Sequence, residues 1–314
     1  MDALIVAGPT CGGKSALALE VARLVGGVVI NADSMQVYRE LRVVTARPSV
    51  LDEGLVPHRL YGVRGAGCAG SLAWWLGAAQ GAMGEARAGG LVPILCGGTG
   101  LYLSGLTEGI SPIPEVGGEA RAEARGLLVA LGAEGLHARL MEVDPGTAGG
   151  LRPGDGQRVA RAWEVWRGTG RGLAAWQAVP RVVTEWRFRT ILLDPPREAL
   201  RAAIAGRFSG MLAGGAVAEV EALLRLGLDP ALPAMRAHGV PELAAHVRGE
   251  VSLEEAGRRA VLATGQYMKR QGTWFRHRPP ASVATHMIHA RFAGLEQYSE
   301  RQRADIESFV VGLG

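Results

Sequence analysis

The feature that most constrains the fold lies near the start of the chain, where residues 8–15 read Gly-Pro-Thr-Cys-Gly-Gly-Lys-Ser. This octapeptide matches G-x-x-x-x-G-K-[ST], a loop whose backbone N–H groups cradle phosphates. It follows an apolar run at residues 3–7, typical of a buried parallel strand, and precedes a helical pattern over 16–24. Strand, loop and helix in this order aim N–H groups and a helix N-terminus at an anion, so the sequence predicts a phosphate site here.

The composition is that of a soluble globular protein, since 48% of the 314 residues are apolar and 20% are charged. No apolar run approaches the length of a membrane span, and the first residues are too few for a signal peptide. We therefore expect a cytoplasmic protein, and a monomer by default. The three cysteines are odd in number and far apart, so they predict neither a disulfide framework nor a zinc site.

Two further strands are predicted in the first hundred or so residues, at 28–30 and 91–95, and each runs into polar or glycine-rich sequence. A helix is predicted over 71–88 between them. Pro93 indicates that its strand lies near a sheet edge or is irregular. This order predicts an α/β fold, namely a P-loop NTPase-like doubly wound parallel sheet.

The pattern changes near residue 111, and no convincing strand recurs before residues 187–193. We therefore predict an inserted all-helical subdomain at 115–184, within a core formed by 1–114 and 185–314. After Pro196 the chain is predicted to be mostly helical, over 197–226, 241–247, a long helix after Ser252 and a last helix over 299–311. Residues 252–255 have the form of a capping box.

Positive charge is concentrated in one stretch, because residues 152–201 hold ten arginines against five acidic residues. Four tryptophans, at positions 163, 166, 176 and 186, are interleaved with them. Arginines with aromatic residues suit RNA, through phosphate contacts and base stacking. The alternative is a helical subdomain with tryptophans in its core and solvated arginines. We favour the core for the tryptophans and RNA for the arginines.

Several short blocks, taken together and in order, resemble the tRNA dimethylallyltransferases, also called tRNA isopentenyltransferases. The blocks are residues 8–15, 33–38, 45–48, 57–58, 97–102, 157–165, 207–208 with 211–212, and 269–271 with Trp274. The resemblance implies transfer of a dimethylallyl group from dimethylallyl diphosphate to the exocyclic N6 of the adenine 3′-adjacent to the anticodon. Diphosphate is released, and Mg²⁺ is the implied cofactor.

The resemblance implies that the loop holds the diphosphate, although its motif is otherwise read as an ATP site. The implied diphosphate-binding residues are Gly8, Pro9, Thr10, Cys11, Gly12, Gly13, Lys14 and Ser15, with Ser15 as the Mg²⁺ contact. The implied catalytic residues are Asp33, Thr10, Lys14 and Arg207.

The chemistry of these residues is consistent with such a reaction. Asp33 follows a strand and suits a general base or acceptor for the proton of the adenine amine. Lys14, the loop N–H groups and Arg207 suit the negative charge that develops on a diphosphate leaving group. The alternatives are that Asp33 only caps a turn and that Arg207 is an ordinary solvated arginine.

The adenine lies in a stacked loop, so it must be flipped out to meet the donor, which the family does in a channel between core and insertion. The residues that the resemblance places on tRNA are Asp33, Ser34, Met35, Gln36, Thr99, Arg121, Gln157, Arg158, Val159, Ala160, Arg161, Arg236, Lys269 and Arg270. The amide of Gln36 suits bidentate reading of a base edge. Lys269, Arg270 and Arg276 share a predicted helix, which is alternatively a solvated basic face.

The chain departs from the family pattern at three places. Arg47 stands where lysine is usual, and Val240-Pro241 replace an aromatic and a basic residue. Residues 65–75 are glycine-rich where the family has a tyrosine-serine pattern. The tRNA contacts near Val240 and the wall on the donor side are therefore expected to differ.

Two other functions compete with prenyl transfer. A P-loop kinase of small molecules or nucleosides needs an acid after an apolar strand, and Asp194 is its passable candidate. A non-catalytic RNA-binding protein with a relict phosphate loop is the third hypothesis.

Overall fold

The computed structural model describes residues 2–311, and its six strands form one parallel sheet. The strands are β1 Asp2–Ala7, β2 Gly27–Asn31, β3 His58–Arg59, β4 Val92–Gly97, β5 Arg187–Leu193 and β6 Ala284–Ile288. Their order across the sheet is β3-β2-β4-β1-β5-β6. The predicted α/β class and parallel sheet are confirmed.

Helices occupy most of the remaining chain. In chain order they are α1 Lys14–Val25, α2 Val50–Leu55, α3 Leu72–Ala88, α4 Gly100–Glu108, α5 Gly118–Val143, α6 Pro145–Ala148, α7 Gly156–Thr169, α8 Leu173–Gln177, α9 Arg197–Ala213, α10 Ala216–Leu224, α11 Val240–Val247, α12 Leu253–His277 and α13 Glu300–Val311. Short 3₁₀ helices lie at Pro233–Arg236 and Leu295–Gln297. Within the described chain, none of these helices combines the length and apolarity that crossing a membrane requires.

The centre of the sheet is apolar on both faces, as expected for parallel strands covered by helices. Residues 3–7 of β1 are fully buried between β4 and β5, with Leu4 in register with Ile94 and Arg189. The chain moves in opposite directions across the sheet from β1 to β2 and from β3 to β4. Right-handed crossovers therefore place α1 and α3 on opposite faces, which is the doubly wound arrangement.

The expectation for Pro93 was wrong, because β4 lies inside the sheet, between β2 and β1. Pro93 is the second residue of β4 and pairs with Val28, while the ladder with β1 begins one residue later at Ile94. A proline at the start of a strand is tolerated because few ladder hydrogen bonds depend on its missing N–H.

The structure adds two strands that were not predicted, β3 and β6. β6 pairs with β5 at the edge of the sheet, and only Ile288 of its five residues is buried, so it lacks a strong apolar pattern. The predicted helix over 197–226 is two helices, α9 and α10, separated at residues 214–215.

The capping box predicted before α12 is half formed. The Ser252 side chain accepts a hydrogen bond from the Glu255 N–H, as predicted. The Glu255 carboxylate instead pairs with Arg258 and Arg259 one turn later.

The chain divides into two compact units, of which Glu108–Thr184 is helical. Its core is formed by α5, α6 and α7, around buried residues that include Leu136, Leu140 and Trp163. Trp166 packs against this cluster, which agrees with a core role for these two tryptophans. The other unit runs up to Thr107 and resumes at Glu185, and it contains the whole sheet.

Candidate active site

The carboxyl ends of four strands carry the polar and glycine-rich sequence expected of a ligand site in an open α/β sheet. The phosphate loop follows β1, residues 31–34 end β2, residues 97–99 end β4, and Asp194 follows β5. A cavity opens at this edge of the sheet. It is lined by Thr10, Cys11, Asp33, Ser34, Met35, Val44, Thr45, Ile204, Arg207, Phe208, Met211, Arg236, Ala237, His238, Thr264 and Tyr267.

The phosphate loop is a tight turn that leads directly into α1. Its Gly8 approaches β5 so closely that a Cβ would lie 2.6 Å from the Leu193 carbonyl oxygen, and Gly13, the N-cap of α1, has φ of 94°. The Lys14 Nζ donates to the Pro9 carbonyl at 2.8 Å, which folds the ammonium back over the loop. Burial lowers the pKa of Lys14, while the Asp33 carboxylate opposes this shift. A partly desolvated ammonium of this kind gains more from a bound anion than a solvated one.

Arg207 contacts the phosphate loop from α9 and is not an ordinary solvated arginine. Its Nη1 donates to the Thr10 hydroxyl oxygen at 3.3 Å and lies 3.7 Å from the Cys11 Sγ. All three residues line the cavity. The structure therefore brings together Thr10 and Arg207, which are 197 residues apart in the sequence.

Asp33 is held by its own backbone through Asn31, the last residue of β2. Asn31 is fully buried, accepts the Asp33 N–H at 2.8 Å and donates to the Asp33 carbonyl at 2.9 Å. The Asp33 Oδ1 accepts the Met35 N–H at 2.9 Å, so this side chain both caps a turn and faces the cavity. Sequence reasoning missed Asn31 as a site residue, although a polar residue that ends a buried strand was a usable signal.

Ser34 and Thr99 join the ends of β2 and β4. The Thr99 Oγ1 accepts the Ser34 N–H at 3.0 Å and lies 3.3 Å from the Ser34 Oγ. Tyr267 of α12 hydrogen-bonds to Thr99, and burial raises the pKa of its phenol. Two of the predicted tRNA contacts therefore lie in one network beside Asp33.

The amide of Gln36 is committed to the protein itself. Its Nε2 donates to the carbonyl oxygens of Thr45 and Ala46, at 2.9 and 3.0 Å. Reading a base edge in bidentate fashion needs this donor together with the Oε1 acceptor. In the conformation observed Oε1 alone is left to accept, and the reading of a base edge by Gln36 stays a prediction.

Gln271 of α12 connects the phosphate loop to the glycine turn after β4. Its Oε1 accepts the Thr10 N–H at 2.8 Å, and its Nε2 donates to the Gly98 carbonyl at 2.8 Å. Gly98 must be glycine, because a Cβ there would overlap the Gln271 amide. Gln271 is buried and was not predicted as a site residue; a polar residue on the buried face of α12 was the available signal.

The other basic residues of the sheet unit that are predicted to contact tRNA are Arg236, which lines the cavity, and Lys269 and Arg270, which lie on α12. Arg236 is exposed and lines the cavity, next to His238, whose pKa is lowered by burial. Arg270 is exposed, with its guanidinium 5.7 Å from the Tyr267 ring, and Lys269 is half-buried.

The departures from the family pattern have local structural consequences. Val240 begins α11 and is buried, whereas Pro241, in the first turn, is exposed. The Arg47 guanidinium lies 3.4 Å from the carbonyl oxygens of Tyr38 and Arg39, and burial lowers its pKa.

Within the helical unit, α7 separates its predicted tRNA contacts into two sets. The side chains of Val159 and Ala160 are buried in the core of the unit, and their contact with tRNA stays a prediction. Helical periodicity turns these two inward with Trp163. Gln157, Arg158 and Arg161 are exposed.

The exposed arginines of this unit carry acidic partners. Arg158 pairs with Asp155 at 3.4 Å, Arg161 with Glu164 at 3.0 Å, and Arg121 with Glu115 at 3.8 Å. Exposed pairs of this kind contribute little to stability and exchange readily for other anions.

Comparison with known proteins identifies relatives along nearly the whole chain. A family model described as IPP transferase matches residues 36–278, and one described as isopentenyl transferase matches residues 1–61. The tRNA dimethylallyltransferase of Granulibacter bethesdensis is 60% identical over 312 residues, which cover 98% of this chain and 97% of that protein. That of Gluconobacter oxydans is 59% identical over 310 residues, covering 98% and 93%.

Solved structures show the same similarity. The tRNA isopentenylpyrophosphate transferase of Bacillus halodurans is 26% identical with a TM-score of 0.67, covering 99% of this chain and 96% of that one. A eukaryotic dimethylallyltransferase acting on tRNA, 23% identical with a TM-score of 0.79 over 96% of this chain and 77% of that one, shares the fold. The extent of the family match and the identity to these relatives show that the chain belongs to the tRNA dimethylallyltransferase family.

Proposed function

We propose that this enzyme transfers a dimethylallyl group from dimethylallyl diphosphate to N6 of the adenine 3′-adjacent to the anticodon of tRNA. The observation that carries the proposal is the composition of one cavity, which is lined by Thr10, Arg207 and Asp33 together. An anion site and a carboxylate therefore face the same space, which is what alkylation of an amine by a diphosphate ester needs.

The reaction we propose is a displacement at the allylic carbon. The N6 lone pair forms a bond to that carbon as the bond from carbon to the bridging oxygen breaks, and the electron pair leaves with diphosphate. The N6 proton passes to Asp33. Lys14, Arg207 and the loop N–H groups stabilise the charge on the departing diphosphate, and Thr10 donates to the bridging oxygen.

The apolar part of the cavity supports a prenyl donor. Val44, Ile204, Phe208 and Met211 line the same cavity as Thr10 and Arg207. Such a wall suits a branched five-carbon chain, because burying its methyl and methylene groups is favourable. The acid required by the kinase alternative, Asp194, lines a second cavity together with Pro9 and Arg276.

The few metal ligands that the site offers suit Mg²⁺ that enters bound to the diphosphate. Among residues 2–311, no group of three or more His, Cys, Asp or Glu is placed to hold a metal. Mg²⁺ commonly keeps several waters and binds substrate phosphates with few protein ligands. Ser15, exposed in the first turn of α1, would hold the ion. When bound, Mg²⁺ would neutralise part of the diphosphate charge.

We propose that both units contribute contacts to the tRNA anticodon stem-loop. In the sheet unit these are residues 33–36, Thr99, Arg236, Lys269 and Arg270; in the helical unit they are Arg121 and residues 157–161. Arginines on exposed ion pairs can exchange a carboxylate for a phosphate at small cost. The tRNA substrate supports a cytoplasmic location, and a monomer stays a prediction.

The test is incubation of the enzyme with dimethylallyl diphosphate, Mg²⁺ and unmodified tRNA that carries adenine at the anticodon's 3′ side. We expect the tRNA mass to rise by one dimethylallyl group. Tight tRNA binding without product would instead support the non-catalytic RNA-binding hypothesis. A parallel ATPase and phosphoryl-transfer assay tests the kinase hypothesis.

A further inference from the structure

The segment after β6 lies against the phosphate loop, and neither Arg291 nor Phe292 lines the cavity described above. The Phe292 N–H donates to the Gly12 carbonyl at 2.9 Å, and the Arg291 Nε donates to the Cys11 carbonyl at 3.1 Å. The carbonyl of Phe292 occupies the space that a Cβ at Gly13 would need. This segment lies beyond residue 278, where the family match ends.

A loop that binds an anion through its backbone N–H groups also needs hydrogen-bond donors for the carbonyls on its other side. Successive N–H groups point inward at the anion, so the carbonyls of the same peptide units point outward. Carbonyls that point outward still need hydrogen-bond donors, from the protein or from water. The carbonyls of Cys11 and Gly12 find these donors in Arg291 and Phe292.

The loop conformation itself needs support. Cys11 has φ of 61°, a left-handed value that is unfavourable for a residue with a side chain. Such conformations persist where surrounding contacts determine them. The two hydrogen bonds fall on Cys11 itself and on the next residue.

The segment is anchored well enough to provide that support. Phe292 is 1% exposed and packs in the main core cluster with Leu17 and Ile288, and its ring stacks on Tyr298 at 5.8 Å. The Gln297 amide accepts the Ala293 N–H and donates to the Arg291 carbonyl, at 2.8 and 3.0 Å. The residues that contact the loop are thereby held from both sides.

We propose that residues 291–298 support the conformation of the diphosphate site. Arg291 is a positioning residue for the phosphate loop. Arg291 acts by holding the Cys11 carbonyl outward, which keeps the following N–H groups directed at the ligand. The inference rests on the proposed function only in taking diphosphate as the ligand of the loop.

The experiment measures binding of inorganic pyrophosphate with Mg²⁺ to the full-length protein by calorimetry, for the wild type and Arg291→Ala. We expect the dissociation constant to rise by about three- to tenfold, because one charge-assisted hydrogen bond at an exposed site is lost. Arg291→Lys should recover part of the affinity. Arg301→Ala, an exposed arginine on the following helix, is the matched control.

A second readout separates positioning from loss of positive charge. Hydrogen exchange at the amides of residues 12–15 should be faster in Arg291→Ala than in the wild type and unchanged in Arg301→Ala. Melting curves verify that both variants are folded, and Phe292→Leu, which retains the backbone N–H, should bind pyrophosphate better than Arg291→Ala. Equal pyrophosphate affinity and equal exchange in Arg291→Ala and wild type would overturn the proposal. A wild type that binds no pyrophosphate would contradict the proposed function itself.

Discussion

The site in the sheet unit and the basic face of α7 in the helical unit are built on different principles. In the sheet unit, Asp33 and Thr10 are each held by a buried amide, from Asn31 and Gln271 respectively. On α7, Arg158 and Arg161 are exposed and pair with acids three residues away on the same chain segment. The sheet unit thus holds its site residues in a fixed geometry, while α7 presents exposed positive charge.

This difference indicates where substitutions should be tolerated. A buried amide that loses its partner leaves two polar groups without hydrogen bonds, whereas an exposed ion pair is replaced by water at little cost. We therefore expect large, geometry-dependent effects in the sheet unit and small, salt-dependent effects on α7.

The largest effect is expected for Asp33→Ala. Removal of a general base lowers turnover by about 10²- to 10⁴-fold, while tRNA binding should be largely retained. Single-turnover prenyl transfer and a filter-binding assay measure the two quantities. Asp194→Ala is the matched control, since Asp194 also follows a strand of the sheet but lines a different cavity. Unchanged turnover in Asp33→Ala would remove this residue from the mechanism, and an equal loss in Asp194→Ala would show that the effect is not specific to Asp33.

The next effect is expected for Gln271→Leu, a change of similar size that leaves the Thr10 N–H and the Gly98 carbonyl without their partner. Each buried group left unpaired costs about 1–3 kcal/mol, so the free energy of unfolding should fall and the Michaelis constant for the donor should rise. Denaturant unfolding and steady-state kinetics measure these. Gln266→Leu, exposed on the same helix, is the control. Identical behaviour of the two variants would refute the supporting role of Gln271.

A smaller effect is expected for Arg158→Ala on α7. The free energy of unfolding should change by less than about 0.5 kcal/mol, because the pair with Asp155 is exposed. If Arg158 contacts a tRNA phosphate, affinity falls for all tRNAs alike and the slope of log affinity against log salt decreases by about one. Arg23→Ala, which breaks an exposed pair with Glu20 at the same spacing on α1, should leave tRNA affinity unchanged. An unaltered salt dependence in Arg158→Ala would place this arginine off the tRNA.

The smallest effect is a dependence of stability on pH in the sheet unit. Burial raises the pKa of the Cys96 thiol, at the end of β4, to about 11. A raised pKa in the folded state means that the stabilising contribution is complete below the ordinary thiol pKa and is lost as pH rises through about 11. Melting temperatures of wild type and Cys96→Ala should therefore converge or cross between about pH 8 and pH 11, while Cys68→Ala, which removes an exposed thiol, parallels the wild type. Parallel curves for Cys96→Ala would show that the thiol is not shielded.

The parts of the fold that were predicted well are those whose residues form a local sequence pattern. β5 has the predicted bounds, and the strand, loop and helix at the N-terminus were predicted from one apolar run and one motif. β1 is buried from its second residue onward and reads as an uninterrupted apolar run, whereas β5 alternates at its start and becomes apolar towards its end. β6 was missed because it is an edge strand with one buried residue, which leaves little pattern to detect.

The residues of the candidate site could be predicted from the sequence, but the hydrogen bonds that hold them in place could not. Arg207 and Thr10 were both identified from family motifs, whereas the bond from Gln271 to Thr10 spans 261 residues and has no local signature. The donation of Gln36 to Thr45 and Ala46 likewise depends on how a loop closes. The inward orientation of the Val159 and Ala160 side chains is different, because their spacing from Trp163 on a helix predicts it from the sequence alone.

The distance in sequence between Thr10 and Gln271 has a consequence for synthesis. The phosphate loop is translated before the amide that completes it, which follows 261 residues later. At roughly 5–20 residues per second this delay is about 13 to 50 seconds. During this interval a nascent chain carries the loop without the Gln271 amide oxygen that accepts the Thr10 N–H.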